Sequence, residues 1–258
     1  MKFFNKKTKN KKIGLALGGG AVLGAAHIGV LKALEEHNIS ISYISGTSIG
    51  AFIGAFYAFG KSWKEIEEIT KDLKWLNVSG LSVPKLGLLS NKKLGDVIKD
   101  NIGDETIEQA DIPIAIVATD ITSGEKVVFK KGSVSTAVMA STCIPGIFIP
   151  VENNDRLLVD GGIVENVPVM PLKEMGADFI ISVDLNAEHA HKKPENIVEV
   201  LLRSFDFILK SATKVQTEEA DILIKPDLSP FNMVDMDQAD DLIETGYTEA
   251  KKLLRKIT

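Results

Sequence analysis

The sequence predicts an α/β protein built on a mainly parallel sheet, and three observations carry that prediction. Short apolar runs alternate with helix-period segments along most of the chain. Glycine clusters at residues 18–20 and 46–50 follow the first two of those runs, where a strand of such a sheet hands over to its helix. The composition, 45% hydrophobic and 25% charged over 258 residues, supplies a core and a wetted surface. It excludes a disordered chain, a fibrous repeat and a polytopic membrane protein.

In chain order, Ile13–Leu17 reads as a buried strand, followed by a helix over residues 24–37. Residues 41–45 form the second strand and lead directly into an apolar helix over 48–59. Amphipathic helices follow at 62–73 and 91–101. A strand over 113–118 has 125–129 as its hairpin partner, and a short helix over 133–141 stops before Ile144, Pro145 and Gly146. A strand over 156–159 ends at Asp160. The helix over 168–175 has Pro168 near its start and Gly176 past its end, as helix termini prefer. Phe179–Val183 is the next strand, and 195–217 a long helix with apolar residues at 197, 198, 201, 205, 208, 209 and 212. After a short strand at Ile222–Ile224, the closing helix over 237–257 starts with acids and ends with Lys251, Lys252, Arg255 and Lys256, matching the helix dipole. No repeat or long linker divides the chain, so 13–258 is expected to be one domain behind a basic leader, 1–12.

Charge and cysteine usage narrow the partners. A net charge of −5 argues against nucleic acid. The single cysteine, Cys143, excludes a disulfide framework and a thiolate metal cluster. Residues 1–12 hold six lysines, no acid and a Phe3-Phe4 pair. Such a segment is either a solvated leader or a contact for an anionic membrane surface, where each basic residue contributes about 1 kcal/mol. The apolar stretch 13–31 behind it imitates a signal peptide or an anchor. Six glycines and His27 interrupt it, and each Gly costs a continuous helix about 1 kcal/mol relative to Ala. Strand, glycine loop and helix describe it better. The expected location is cytoplasmic, with peripheral contact at the inner membrane surface as a further option.

Gly46-Thr47-Ser48-Ile49-Gly50 lies between a predicted strand and a predicted helix, the setting of a nucleophile elbow. Residues two before and two after the serine are pressed against their neighbours in so sharp a turn, and only small ones fit. A tight turn with Ser48 as an ordinary helix N-cap is the alternative. A serine hydroxyl also needs a base and a site for the oxyanion. Gly18-Gly19-Gly20 follows the first strand and precedes a helix, so its amides can form an anion-binding nest. The competing dinucleotide loop lacks its last glycine, because Leu23 stands there, and no G-K-[ST] follows. Of the four histidines, His27 falls inside the first helix and His37 at its end, while His189 and His191 lie in a polar loop. None has the setting of a triad base. Asp160 does end a strand and precedes Gly161-Gly162. That is a turn or a catalytic acid at the edge where α/β sheets bind ligands.

These residues, joined in order by His27-Ile28-Gly29-Val30-Leu31, Gly87-Leu88-Leu89-Ser90, Ala118-Thr119-Asp120, Ala140-Ser141, Pro145-Gly146 and Asn166-Val167-Pro168, resemble the patatin-like phospholipase family over about residues 12–185. The resemblance implies a three-layer α/β/α fold and a Ser–Asp dyad, Ser48 as nucleophile and Asp160 as base. Gly18, Gly19 and Gly20 then supply oxyanion amides, and Gly46, Gly50, Gly161 and Gly162 support the turns. It implies lipid or acyl-ester substrates, hydrolysed through an acyl-enzyme with no metal or organic cofactor. An acyltransferase on the same dyad and a non-catalytic lipid-binding protein are the alternatives. One departure is Leu23, where family members commonly carry Arg or Lys. Residues 78–89 are either an acyl-chain entrance or lid, or a packed connection.

Overall fold

A computed structural model describes residues 10–71, 87–186, 197–232, 235 and 237–257. Most of the basic leader, residues 78–86 of the expected lid, and His189 and His191 lie outside the described residues. The described chain runs β1 (Ile13–Leu17), α1 (Ala25–Glu36), β2 (Tyr43–Thr47), α2 (Ile49–Ala58), α3 (Trp63–Lys71), β3 (Gly87–Leu89) and α4 (Lys92–Ile102). It continues through β4 (Ile114–Asp120), β5 (Lys126–Phe129), α5 (Val134–Ser141), β6 (Gly146–Phe148), β7 (Val151–Asn153) and β8 (Arg156–Asp160). Last come α6 (Val169–Glu174), β9 (Phe179–Val183), α7 (Ile197–Gln216), β10 (Ile222–Ile224) and α8 (Ala239–Leu254).

The main sheet has eight strands in the order β10-β9-β1-β2-β4-β8-β7, with β5 also paired to β4. From β10 to β4 every neighbour is parallel, while β4–β5, β4–β8 and β7–β8 are antiparallel. The sheet is thus mixed at one side and parallel through its middle, where helices cover both faces. Strand β1 shows how the faces divide. Ile13, Leu15 and Leu17 join the large core with α1, α2 and α8. Ala16 faces Val169 and Leu172 around α6 on the other side. A Cβ at Gly14 would press tightly on Leu172 and Ala177, at 3.0–3.2 Å, so β1 keeps its second face small to seat α6.

Helix α2 is apolar almost all round and buried along nearly its whole length, as a helix sunk in a core must be. Its N-terminus emerges at the C-terminal end of β2, beside the end of β1, because the parallel pairing sets Leu17 opposite Gly46. Three strands were not legible in the sequence: β3, β6 and β7, each of three residues. Runs that short carry no periodicity. The second strand also sits two residues later than expected, at Tyr43–Thr47. The first helix is preceded by a 3-10 turn, Ala21–Gly24, inside the range expected to be loop and helix.

The long helix α7 has two apolar faces rather than one. Phe205 and Leu209 are buried against Ile144 and Ile147, whereas Ile197 and Ile208, counted in the same apolar pattern, are exposed. Its inward side also carries the buried polar residues Asp206 and Thr213.

Candidate active site

Ser48 occupies the N-cap position of α2 with φ 55° and ψ −127°, and its side chain makes no capping hydrogen bond. A non-glycine residue there is strained by about 1–3 kcal/mol and persists only where its surroundings leave no alternative. Those surroundings are visible. A Cβ on Gly50 would come within 2.1 Å of the Leu17 carbonyl oxygen, and one on Gly46 within 2.6 Å of Ala51 Cα. The Ser48 N–H donates to Ser141 Oγ at 2.8 Å, and Ser141 in turn donates to the Val117 carbonyl at 2.6 Å. Ser141 has no exposed surface, so one hydroxyl ties the elbow to β4. The hydroxyl of Ser48 is left uncommitted by the helix it starts.

Asp160 ends β8 with no exposed surface. Its backbone is held on both sides, by Asp160 N–H to the Cys143 carbonyl at 2.8 Å and by Thr119 Oγ1 to the Asp160 carbonyl at 2.9 Å. Oδ1 accepts from the Gly162 N–H at 2.8 Å. Oδ2 is buried without any hydrogen-bond partner. Burial pushes the carboxyl up to about 7, against the lowering influence of the Ser48 hydroxyl and the Gly162 N–H. The Ser48 side chain therefore lies within interaction range of the carboxyl, though no bond of full hydrogen-bonding geometry closes onto Oδ2. Gly161 lets β8 turn directly against β4, since a Cβ there would be 2.3 Å from the Val117 oxygen.

The glycine loop lies against the elbow: a Cβ on Gly19 would be 3.1 Å from Ser48 Cβ, and one on Gly24 would overlap Ile49. Its amides are not equivalent. Gly18 N–H donates to the Val183 carbonyl at 3.1 Å, and Gly19 N–H to Asn166, at 3.1 Å to Oδ1 and 3.3 Å to the carbonyl. Both are occupied within the protein. Among the described residues the N–H groups of Gly20, Ala21, Val22 and Ile49 meet no acceptor. The open donors thus start at Gly20, the third of the expected trio, and run on into residues the sequence reading left out. Ala21 takes φ 51° there, a conformation that favours glycine. Leu23 is buried in the main core, so its position here belongs to packing.

His27 has no exposed surface, and its Nε2 donates to the Gly18 carbonyl at 2.8 Å while Nδ1 has no partner. Burial holds it down to about 4, so the ring is neutral at pH 7. His37 caps α1, its Nδ1 donating to the Ala33 carbonyl at 2.8 Å. Cys143, near Asp160, is buried with its thiol pushed up to about 12 and bonded to the Ile149 carbonyl. A neutral thiol is a poor rival nucleophile. No group of three or more His, Cys, Asp or Glu able to hold a metal occurs among the described residues. Sequence reasoning gave no role to Ser141 or Asn166, although both sit in the motifs quoted above. For Ser141 a polar side chain between the small residues Ala140 and Thr142 is the available signal; Asn166, beside Glu165, offers none.

A mixed sheet under helices on both faces, with a serine elbow after β2 and a buried aspartate at the end of β8, one strand (β4) apart, is the patatin type of α/β fold. The chain belongs to the patatin-like phospholipase family, whose model matches residues 15–173. An uncharacterized NTE family protein of Mycobacterium tuberculosis is 38% identical over 186 residues, covering 71% of this chain and 51% of that protein. Lysophospholipase NTE1 of Debaryomyces hansenii is 26% identical over 281 residues, 96% of this chain and 18% of the relative. The chain thus spans about half the length of the mycobacterial relative. The crystal structure of VipD from Legionella pneumophila superposes with a TM-score of 0.67 at 16% identity, covering 96% of this chain and 67% of that one. No helix among the described residues is long and apolar enough to cross a membrane.

Proposed function

We propose that this protein is a serine-dependent lipid acyl hydrolase in which Ser48 is the nucleophile and Asp160 its general base. The observation that carries the reading is a hydroxyl on a strained elbow beside a fully buried carboxyl whose Oδ2 has no other partner. As Ser48 Oγ attacks the acyl carbonyl carbon, its proton passes to Asp160. The carbonyl oxygen gains the negative charge and meets the open amides that begin at Gly20, with the N-terminus of α2 adding its positive end. Collapse of the tetrahedral species breaks the ester C–O bond, and the leaving alcohol takes the proton from Asp160. Water, deprotonated by Asp160, then attacks the acyl-enzyme, and the released acid leaves Ser48 protonated again.

An ordinary carboxylate near 4 is a weak base toward an alcohol. A carboxyl held at about 7 by burial is matched to the task near neutral pH. Fatty-acyl esters are the substrate class, and the name of the fungal relative makes lysophospholipid the first lipid to assay. Contact with the surface that presents such lipids is peripheral in this proposal.

Fluorophosphonate labelling with peptide mapping tests the nucleophile, alongside p-nitrophenyl esters of increasing chain length and a lysophospholipid. The label is expected on Ser48. Ser48→Ala should lose it together with about a thousandfold or more of turnover, with an unchanged circular dichroism spectrum. A label elsewhere, or a Ser48→Ala variant that keeps most of its turnover, contradicts the assignment.

A further inference from the structure

The open amides of the glycine loop are useful only if the loop cannot turn over. A run of three glycines has little steric reason to hold one orientation, because glycine enters both signs of φ readily. The peptide unit joining Gly18 to Gly19 is instead gripped at both ends. Its carbonyl accepts from His27 Nε2 at 2.8 Å, and its N–H donates to Asn166 Oδ1 at 3.1 Å. Asn166 is oriented in turn: its Nδ2 donates to Thr213 Oγ1 at 3.1 Å, and its own N–H to Gln216 Oε1 at 2.9 Å. Since Gly19 offers only a donor, the amide oxygen must face it, which leaves Nδ2 to seek an acceptor.

Thr213 provides that acceptor with nothing to spare. Its hydroxyl donates to the Leu209 carbonyl at 2.7 Å and accepts from Asn166 Nδ2 and, at 2.7 Å, from Asn186 Nδ2. One hydrogen and two lone pairs are all used. Thr213, Asn166 and Asn186 are all buried, so water cannot replace a lost partner cheaply. Thr213 lies on α7, forty positions beyond residue 173, where the family match ends.

Resting on the function proposed above, we infer that Thr213 is a positioning residue: through Asn166 it fixes the peptide unit between Gly18 and Gly19 and so keeps the open amides from Gly20 onward beside Ser48. Helix α7 is then part of the catalytic apparatus, and the chain beyond the family match does more than cover the sheet.

The test compares Thr213→Val, which keeps the shape and removes the hydroxyl, with Thr213→Ser, which restores it. Thr213→Ala replaces the valine variant if that one does not fold. Three readouts are taken: steady-state kinetics on a p-nitrophenyl ester, the rate of fluorophosphonate labelling, and amide exchange in 15N-glycine-labelled protein. Loss of the hydroxyl should lower kcat and the labelling rate about ten- to a hundredfold, the worth of one or two buried hydrogen bonds, with KM within about twofold. Gly19 exchange should quicken while Gly14, in β1, keeps its rate, and Thr213→Ser should return all three towards wild type. Unchanged Gly19 exchange, or faster Gly19 exchange with kcat intact, overturns the inference. Equal acceleration at Gly14 also overturns it, because that reports general loosening. If wild type takes no label at Ser48, the proposed function fails, while Gly19 exchange still reads the clamp by itself.

Discussion

At the end of β2, Ser48 sits at φ 55° in a turn whose flanking glycines nearly touch backbone atoms. At the end of β8, Asp160 has a relaxed backbone, φ −50° and ψ 133°, yet its carboxyl is desolvated, half unpaired and pushed up to about 7. Both residues are held away from their comfortable states, one by sterics and the other by electrostatics. The difference explains how each can be altered. Steric strain is set by the Cβ of Ser48 and the backbone packed around it, and it does not respond to pH. Electrostatic strain depends on pH and on one side-chain atom, and it can be relieved without moving the chain.

Breaking the steric half should have the largest effect. A Cβ at Gly50 meets the backbone of Leu17 and Gly18, which cannot step aside as a flexible side chain would. Gly50→Ala is expected to cost about 3 kcal/mol or more, read as loss of soluble protein or a collapsed denaturation midpoint. A variant as stable as wild type shows that the turn has slack the geometry denies.

Relieving the electrostatic half should separate activity from stability. Asp160→Asn keeps an acceptor for the Gly162 N–H but removes the proposed base, so turnover should fall by about two to four decades. Stability should move the other way. With its folded pKa raised to about 7 from 3.8, Asp160 binds a proton more tightly in the folded chain. Its contribution is therefore complete below the unfolded value and is lost as pH rises through about 7. Asp160→Asn should raise Tm at pH 8 and leave it nearly unchanged at pH 4. A Tm lowered at pH 8 contradicts the burial argument.

The smallest effect sharpens the comparison. Ser141→Ala removes the acceptor of the Ser48 N–H and the donor to Val117. Leaving these buried groups unpaired should cost about 1–3 kcal/mol in the denaturation midpoint, with a lower kcat and an unaltered KM. If kcat holds, the glycine contacts fix the elbow unaided.

The same division governs what the sequence disclosed. Steric demands leave a trace in residue type, so Gly46, Gly50, Gly161 and Gly162 were readable as small residues around Ser48 and Asp160 before any contact was known. Long elements such as α7 and α8 were readable from their periodicity, while β3, β6 and β7 were too short to show one. The unpaired Oδ2 of Asp160 and the engagement of Gly18 and Gly19 amides were invisible, because both depend on partners far away in the chain. Asn166 meets Gly19 across 147 positions and Ser141 meets Ser48 across 93. Thr213 gave no signal at all, since a threonine in a long helix usually bonds back to its own helix, as this one does to Leu209.

The pairing of Ser48 with Asp160 is tested most directly by the fluorophosphonate labelling rate of Ser48 measured from pH 5 to pH 9, in wild type and in Asp160→Asn. The rate in wild type should climb to a plateau with a midpoint near 7, as the buried carboxyl loses its proton. In the variant it should be slow and lack that rise. A wild-type rate independent of pH, or a variant that keeps the same midpoint and plateau, shows that another group activates the serine.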